Sequence, residues 1–282
     1  MDVDTVMFPL LARSFFNTCF QKVKKRLSLD FEDDVTARDL IDEALAREPP
    51  GIYDRRLTWL REHAELKEAA CIIVAPGPTL DEAFDHVFDN PGVDIPGQFI
   101  IAVDGAARKF IEKNMKVDVV VTDLDGLTME QIIVLHDAFF ATIIVHSHGN
   151  NVDKINSLLE TVSLDERYVF TTQIEATSHV ANLGGFTDGD RAIFTAIALG
   201  FKHVKLLSMD LDAVEIGPYS KLEYEALADD ERLLANHPVK EEKIKIALAT
   251  LKWLAQNKPE DCEITTLCKD PPFDFLPNID LT

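Results

Sequence analysis

Two aspartates one residue apart, Asp123 and Asp125, follow directly on the apolar run V-V-V-T (119–122), and Gly126 comes next. Carboxylates spaced D-x-D can converge on one hard cation if the backbone turns between them, and glycine makes such a turn easy. Mg²⁺ takes one or two carboxylates and fills its remaining positions with water and phosphate oxygens, so this pair suffices for a phosphate-bridging ion. The plainer alternative is an acidic turn.

Further polar, glycine-bearing stretches each follow an apolar run. A-P-G-P-T-L (75–80) offers Gly77 and Pro78 for close backbone approach, and Thr79 as a helix cap or phosphate donor. Asp104 and Gly105 open D-G-A-A-R, where Asp104 either caps a helix or faces a cleft. H-S-H-G-N-N (146–151) puts His146 and His148 on one side of an extended chain. Zinc would need a third ligand that is not evident there, so hydrogen bonding to a phosphate fits better, and Asn150 or Asn151 would cap the next helix. In L-G-G-F-T-D-G-D-R (183–191), Gly184 and Gly185 permit tight approach, and Thr187 with Asp190 forms a capping-box spacing. Asp188 and Arg191 then sit in the first turn of a helix whose N-terminus suits an anion. S-M-D-L-D (208–212) is a second acidic end, with Asp210 in it.

These loops need a scaffold that brings them to one edge. Short β-rich runs are predicted at 71–75, 98–103, 117–122, 141–146, 167–171 and 203–208, with helical patterns at 80–89, 106–114, 128–138, 151–160 and 188–200. Continuous apolar strands separated by helices predict a mostly parallel, doubly wound α/β sheet of Rossmann-like type, in which ligands bind beyond the carboxyl ends of the strands. Residues 1–68 read as a helical lead-in without chemistry of its own. It has amphipathic segments at 36–47, with Thr36 as its cap, and at 53–68, separated by Pro49, Pro50 and Gly51. Residues 69–215 form the expected catalytic core, and 216–282 a C-terminal helical region packed on it. Within that region 239–256 is helical, 262–267 a last strand, and the tail with Pro271, Pro272 and Pro277 irregular.

Composition narrows the class. With 28 basic against 49 acidic residues the net charge is −21, which disfavours nucleic acid and anionic membranes as partners. A polyanionic ligand would need a cation between it and this chain. The start, M-D-V-D-T-V-M-F-P-L-L-A-R, carries acids where a secretory signal carries basic residues. The four scattered cysteines, Cys19, Cys71, Cys262 and Cys268, read as reduced thiols, so a cytoplasmic location is expected.

Composition and spacing stop at metal-dependent phosphate chemistry on a Rossmann-like sheet. The ordered set A-P-G-P-T-L (75–80), V-D-G-A (103–106), V-D-V-V-V-T-D-L-D-G (117–126), H-S-H-G-N-N (146–151) and G-G-F-T-D-G-D-R-A (184–192) goes further. Together these segments, over roughly residues 50–260, resemble the archaeal 6-hydroxymethyl-7,8-dihydropterin pyrophosphokinase (MptE-like) family, whose core is similar to that of thiamin pyrophosphokinases. The resemblance implies diphosphate transfer from ATP to a pterin alcohol with release of AMP, in folate or methanopterin biosynthesis. It implies Mg²⁺ on Asp123 and Asp125, with His148 and Arg191 acting on the reacting groups and Lys221 assisting. ATP would be contacted by the loops around Gly77, Asp104, His146, Asn150 and Gly184–Asp188. Ala75 and Pro76 depart from the family's usual G-S-G-P-S-L, and Asn150 stands where an aspartate is common. Thiamin pyrophosphokinase, a nucleotide-sugar glycosyltransferase and a non-catalytic Mg-nucleotide-binding module stay open as alternatives, as does the oligomeric state, a homodimer included.

Overall fold

The structure, a computed structural model, describes residues 9–27, 31–48, 52–66, 70–89, 98–268 and 273–280. The first eight residues, the Pro49-Pro50-Gly51 break, and Pro271 and Pro272 therefore lie outside the described residues.

The lead-in is helical: α1 (Leu10–Phe15) runs through a π turn at Phe16–Phe20 into α2 (Gln21–Leu27), followed by α3 (Glu32–Leu45) and α4 (Ile52–Leu66). The core then alternates β1 (Ala70–Val74), α5 (Leu80–Phe88), β2 (Phe99–Val103), α6 (Ala107–Glu112), β3 (Val119–Thr122), α7 (Met129–Ile133), β4 (Thr142–Ser147), α8 (Val152–Thr161), β5 (Tyr168–Thr172), β6 (Val180–Ala181), α9 (Asp188–Ala198) and β7 (His203–Leu207). The chain ends with α10 (Leu222–Glu225), α11 (Pro238–Asn257), β8 (Glu263–Cys268) and β9 (Asn278–Asp280).

Among the described residues nine strands form one sheet in the order β6-β5-β4-β3-β2-β1-β7-β8-β9, and every pairing is parallel. The strands read as apolar runs because both faces are covered: every residue of β2, β3 and β4 is buried. Each fully buried Ile or Val there contributes roughly 1.5–3 kcal/mol relative to exposure. Helix α9 packs on β1, β2, β3 and β7, and α3 on β4, β5 and β6. Phe15 of α1 meets Phe194 of α9 at 5.0 Å between ring centres and Trp253 of α11 at 5.5 Å, so the two ends of the chain close over the same helix. The strand order reverses between β1 and β7, which sets the switch point where such sheets bind ligands.

Four local expectations change. Helix α3 begins at Glu32, so Thr36 lies inside it and bonds back to the Glu32 carbonyl instead of capping. The helix expected over 128–138 is α only to Ile133 and widens to a π turn over Val134–Ala138. Strand β6 is two residues long, too short for any alternation to show. Strand β9 lies in the tail expected to be irregular, paired through Thr266–Asn278 on β8. Among the described residues no helix is long and apolar enough to cross a membrane.

Candidate functional site

Every loop singled out in the sequence leaves the carboxyl edge of this sheet, and the backbone is bent sharply there. Asp104 after β2, Leu124 after β3 and Ser208 after β7 all have left-handed backbone (φ 43°, 69° and 55°), at about 1–2 kcal/mol each for a non-glycine residue. Side chains hold these bends. The Asp104 carboxylate accepts from Thr122 Oγ1 at 2.6 Å and from the Gly126 amide at 3.1 Å, and Thr122 Oγ1 accepts from the Leu124 amide at 2.8 Å. A Cβ on Gly126 would stand 2.4 Å from the Asp104 carboxylate, so glycine is needed here for close approach.

The result is a triad of carboxylates. Asp104, Asp123 and Asp188 each offer one oxygen, and these lie within 4.8 Å of one another. Burial, together with the charges of Asp123 and Asp188, pushes the Asp104 carboxyl well up. Burial and Asp123 push Asp188 up to about 7, although Arg191 donates to it at 3.0 Å. Burial also opposes the charged form of Asp123, but the His148 ring, Arg191 and the Asp125 amide outweigh it and hold its carboxyl below the usual range. One buried and two half-buried carboxylates whose charges resist one another fit a divalent cation, which relieves that repulsion.

Asp125, paired with Asp123 in the sequence reading, stands outside this cluster although it lines the same cavity. The left-handed Leu124 buries its side chain between them. Asp125 instead forms ion pairs with Lys154 and, at 2.7 Å, Lys221. Asp188, expected only as a nucleotide contact, joins the triad from the N-terminus of α9.

His148 and Arg191 reach the same place. His148 Nδ1 accepts from the Asn150 amide at 3.2 Å, which leaves Nε2 to carry the proton, 3.6 Å from Asp123. Arg191 is buried and joins Asp188 to Gln173 Oε1, at 3.3 Å. Asn151 stitches the edge together, donating to the carbonyls of Asp123 at 2.9 Å and His146 at 2.7 Å. Its side chain does not cap α8. Asn150 is exposed at the cavity rim.

Other expected residues make contacts within the scaffold. Thr79 donates from its amide and hydroxyl to the Asp210 carboxylate, at 2.9 and 2.8 Å, so it clips the β1 loop to the β7 loop instead of capping α5 or facing the cavity. Gly77 lets that clip form, since a Cβ would stand 2.3 Å from Asp210. Gly77 and Pro78 do line the cavity. Gly105 packs under the Tyr219 carbonyl. Gly184 and Gly185 have φ of 99° and 88° and pack closely on Phe194 and Arg191 of the helix that follows, which by itself requires glycine at both positions. Thr187 and Phe186 donate to Asp190, the carboxylate half of the expected capping box. His146 is buried, its Nδ1 against Thr171 at 3.2 Å, and burial together with Arg191 and His148 holds its pKa well below the usual range.

The triad opens into a cavity of about 630 Å³. Sequence reasoning missed two of its walls. On one side α11 brings Lys240 and Lys243 beside Lys221. Lys240 donates to Ser220 Oγ at 2.8 Å, and burial with its two lysine neighbours lowers its pKa. On the other side α3 brings Asp33 and Asp34. The sequence reads 239–256 only as a helix, and helix periodicity carries no information about which distant loop a face meets. The cavity is thus lined by both a carboxylate triad and a lysine group, the charges that a cation and phosphates require.

The chain matches the model of the MptE-like family, described as 6-hydroxymethylpterin diphosphokinase, over residues 55–215, more than half of its length. The chain belongs to the MptE-like family. It is 34% identical over 206 residues to the 6-hydroxymethyl-7,8-dihydropterin pyrophosphokinase of Methanothermobacter thermautotrophicus, covering 71% of this chain and 82% of the relative. It is 30% identical over 240 residues to the protein so named from Pyrococcus furiosus, covering 84% and 92%, and 28% identical over 208 residues to that of Methanocaldococcus jannaschii, covering 72% and 80%. The MptE-like match contains the whole triad and Arg191, whereas the lysines of α11 and the aspartates of α3 lie outside it.

Proposed function

We propose that this chain transfers diphosphate from ATP to the hydroxymethyl group of 6-hydroxymethyl-7,8-dihydropterin, releasing AMP, and thereby serves folate or methanopterin biosynthesis. The observation that carries the reading is that the Asp104–Asp123–Asp188 triad and Lys221, Lys240 and Lys243 line one cavity in a member of the MptE-like family.

Asp104, Asp123 and Asp188 would hold Mg²⁺, which supplies charge neutralisation for the transferred phosphates. The acceptor hydroxyl attacks the β-phosphorus and the bond to the α-phosphate oxygen breaks. Such a transition state is loose, so placement and charge matter more than covalent help. The lysines bind phosphate oxygens from the α11 side. Arg191 fixes Asp188 and adds positive charge beside it. His148, with its proton on Nε2, orients a neighbouring oxygen by donation. The apolar lining from Ala75, Met209, Ile216 and Ile244 suits a nucleotide base and the flat pterin ring. A cytoplasmic location fits the acidic composition and the four scattered cysteines, and a homodimer is consistent with the reading.

The test is turnover with ATP, Mg²⁺ and 6-hydroxymethyl-7,8-dihydropterin, with AMP followed by chromatography beside an Asp123→Ala control. Acceptor-dependent AMP that vanishes in the variant supports the reading. AMP formed only with thiamin would keep the site and discard the pterin. Tight Mg-ATP binding without AMP would point to a nucleotide-binding module.

A further inference from the structure

Asp34 sits on α3, outside the family match, and is 4% exposed. Its Oδ1 accepts from the Gly149 amide at 2.8 Å, and its Oδ2 from Gln173 Nε2 at 2.7 Å. Gln173 Oε1 then accepts from Arg191 at 3.3 Å, and Arg191 donates to Asp188 at 3.0 Å. The chain of contacts runs unbroken from the N-terminal segment to the triad. Its second branch, through Gly149, sets the loop that carries His148. A Cβ on Gly149 would stand 2.2 Å from Asp33 Cβ, so α3 and this loop are fitted closely.

The direction of each bond follows from Asp34. An ionised carboxylate can only accept, so it forces the Gln173 amide to turn its NH₂ inward and its oxygen towards Arg191. A neutral group at 34 would leave that amide free to flip, and a flipped Gln173 would set its NH₂ against the Arg191 guanidinium, donor against donor. We propose that Asp34 is a positioning residue: it locks Gln173 and the 148–150 loop, and through them Arg191, Asp188 and His148, so the N-terminal segment is part of the catalytic apparatus. The turnover arm of its test rests on the pterin diphosphokinase reading; the binding arm does not.

The experiment compares Asp34→Asn with the double variant Asp34→Asn/Gln173→Glu, in which the carboxylate moves from 34 to 173 and every hydrogen bond can reform. Binding of Mg²⁺ with α,β-methylene-ATP is measured by calorimetry, and kcat and KM by AMP release. Thermal melts check that all variants fold. Loss of a partner behind a metal ligand typically lowers affinity or activity roughly 10–100-fold. Asp34→Asn is expected to show such a drop in kcat and in Mg-nucleotide affinity, and the double variant to recover most of it. Unchanged binding and turnover in Asp34→Asn would overturn the proposal, as would a loss that the double variant fails to recover while still folding. If the wild-type chain gives no AMP with the pterin, the reaction is wrong, and the calorimetric comparison alone decides the role of Asp34.

Discussion

Asp125 and Lys221 meet at 2.7 Å, and beside them the Leu222 amide bonds to the Asp125 carbonyl at 3.3 Å. The D-L-D loop is thereby tied to the segment between β7 and α11 that covers the site. That segment has a small core of its own, Ile216, Tyr224 and Leu234. The two aspartates of one motif therefore make different contacts.

Substitution should separate them. Asp123→Ala is expected to lower kcat by about 10²–10³, the range seen when one preorganised electrostatic group is removed. Asp125→Ala removes a tether and is expected to raise KM for ATP, with kcat reduced less than about tenfold. Steady-state AMP release on both variants checks the order. Equal losses of kcat would put Asp125 among the metal ligands after all.

The triad also makes stability depend on pH and metal. Asp188 titrates near 7 in the folded chain and Asp104 is raised too, so the native state holds protons that the unfolded state has released. Stability of the metal-free protein should therefore fall as pH rises from about 4 to about 7. Asp190, pushed up to about 6, adds to the same trend. Asp123 and His146 act in the opposite sense: the depressed pKa of Asp123 puts its change below this window, whereas His146, lowered from 6.5, offsets part of the trend in the lower part of it. Mg²⁺ should restore stability, more at about pH 8 than at about pH 5, because it competes with those protons. Melting curves with and without Mg²⁺ at the two pH values measure this. A Mg²⁺ shift independent of pH would count against the triad.

Glycines should divide by position. Gly126→Ala drives a methyl group into the Asp104 carboxylate and the Gly105 amide, at 2.4 and 2.5 Å. It is expected to destabilise by about 1–3 kcal/mol and to blunt the Mg²⁺ response. Gly200→Ala meets no neighbouring atom but keeps φ at 91°, so it should be destabilising through backbone strain alone, with Mg²⁺ binding intact. Chemical denaturation with and without Mg²⁺ distinguishes them.

Lys240→Met should weaken ATP binding about tenfold, the size of one charge-assisted contact to phosphate. Loss of one cation should also flatten the dependence of ATP affinity on salt. Calorimetry at two ionic strengths tests both effects. An unchanged affinity would take the α11 face out of the nucleotide site.

The sequence by itself determined the scaffold and the edge that carries the chemistry. Runs such as F-I-I-A-V and V-V-V-T can satisfy their backbone and bury both faces only inside a parallel sheet, and loops bearing Asp, His and Gly then fall together at its carboxyl end. Motif spacing also singled out Asp123, Asp104 and Arg191, which the fold brings to one cavity. Which carboxylates converge was settled by the tertiary structure. Leu124 turns Asp125 towards Lys154 and Lys221, while the first turn of α9 delivers Asp188 from 65 residues further along the chain. Asp34, Lys240 and Lys243 were illegible for the same reason. Each lies on a charged helix face, and only docking of α3 and α11 over the sheet edge decides which of those charges meet the site and which meet water.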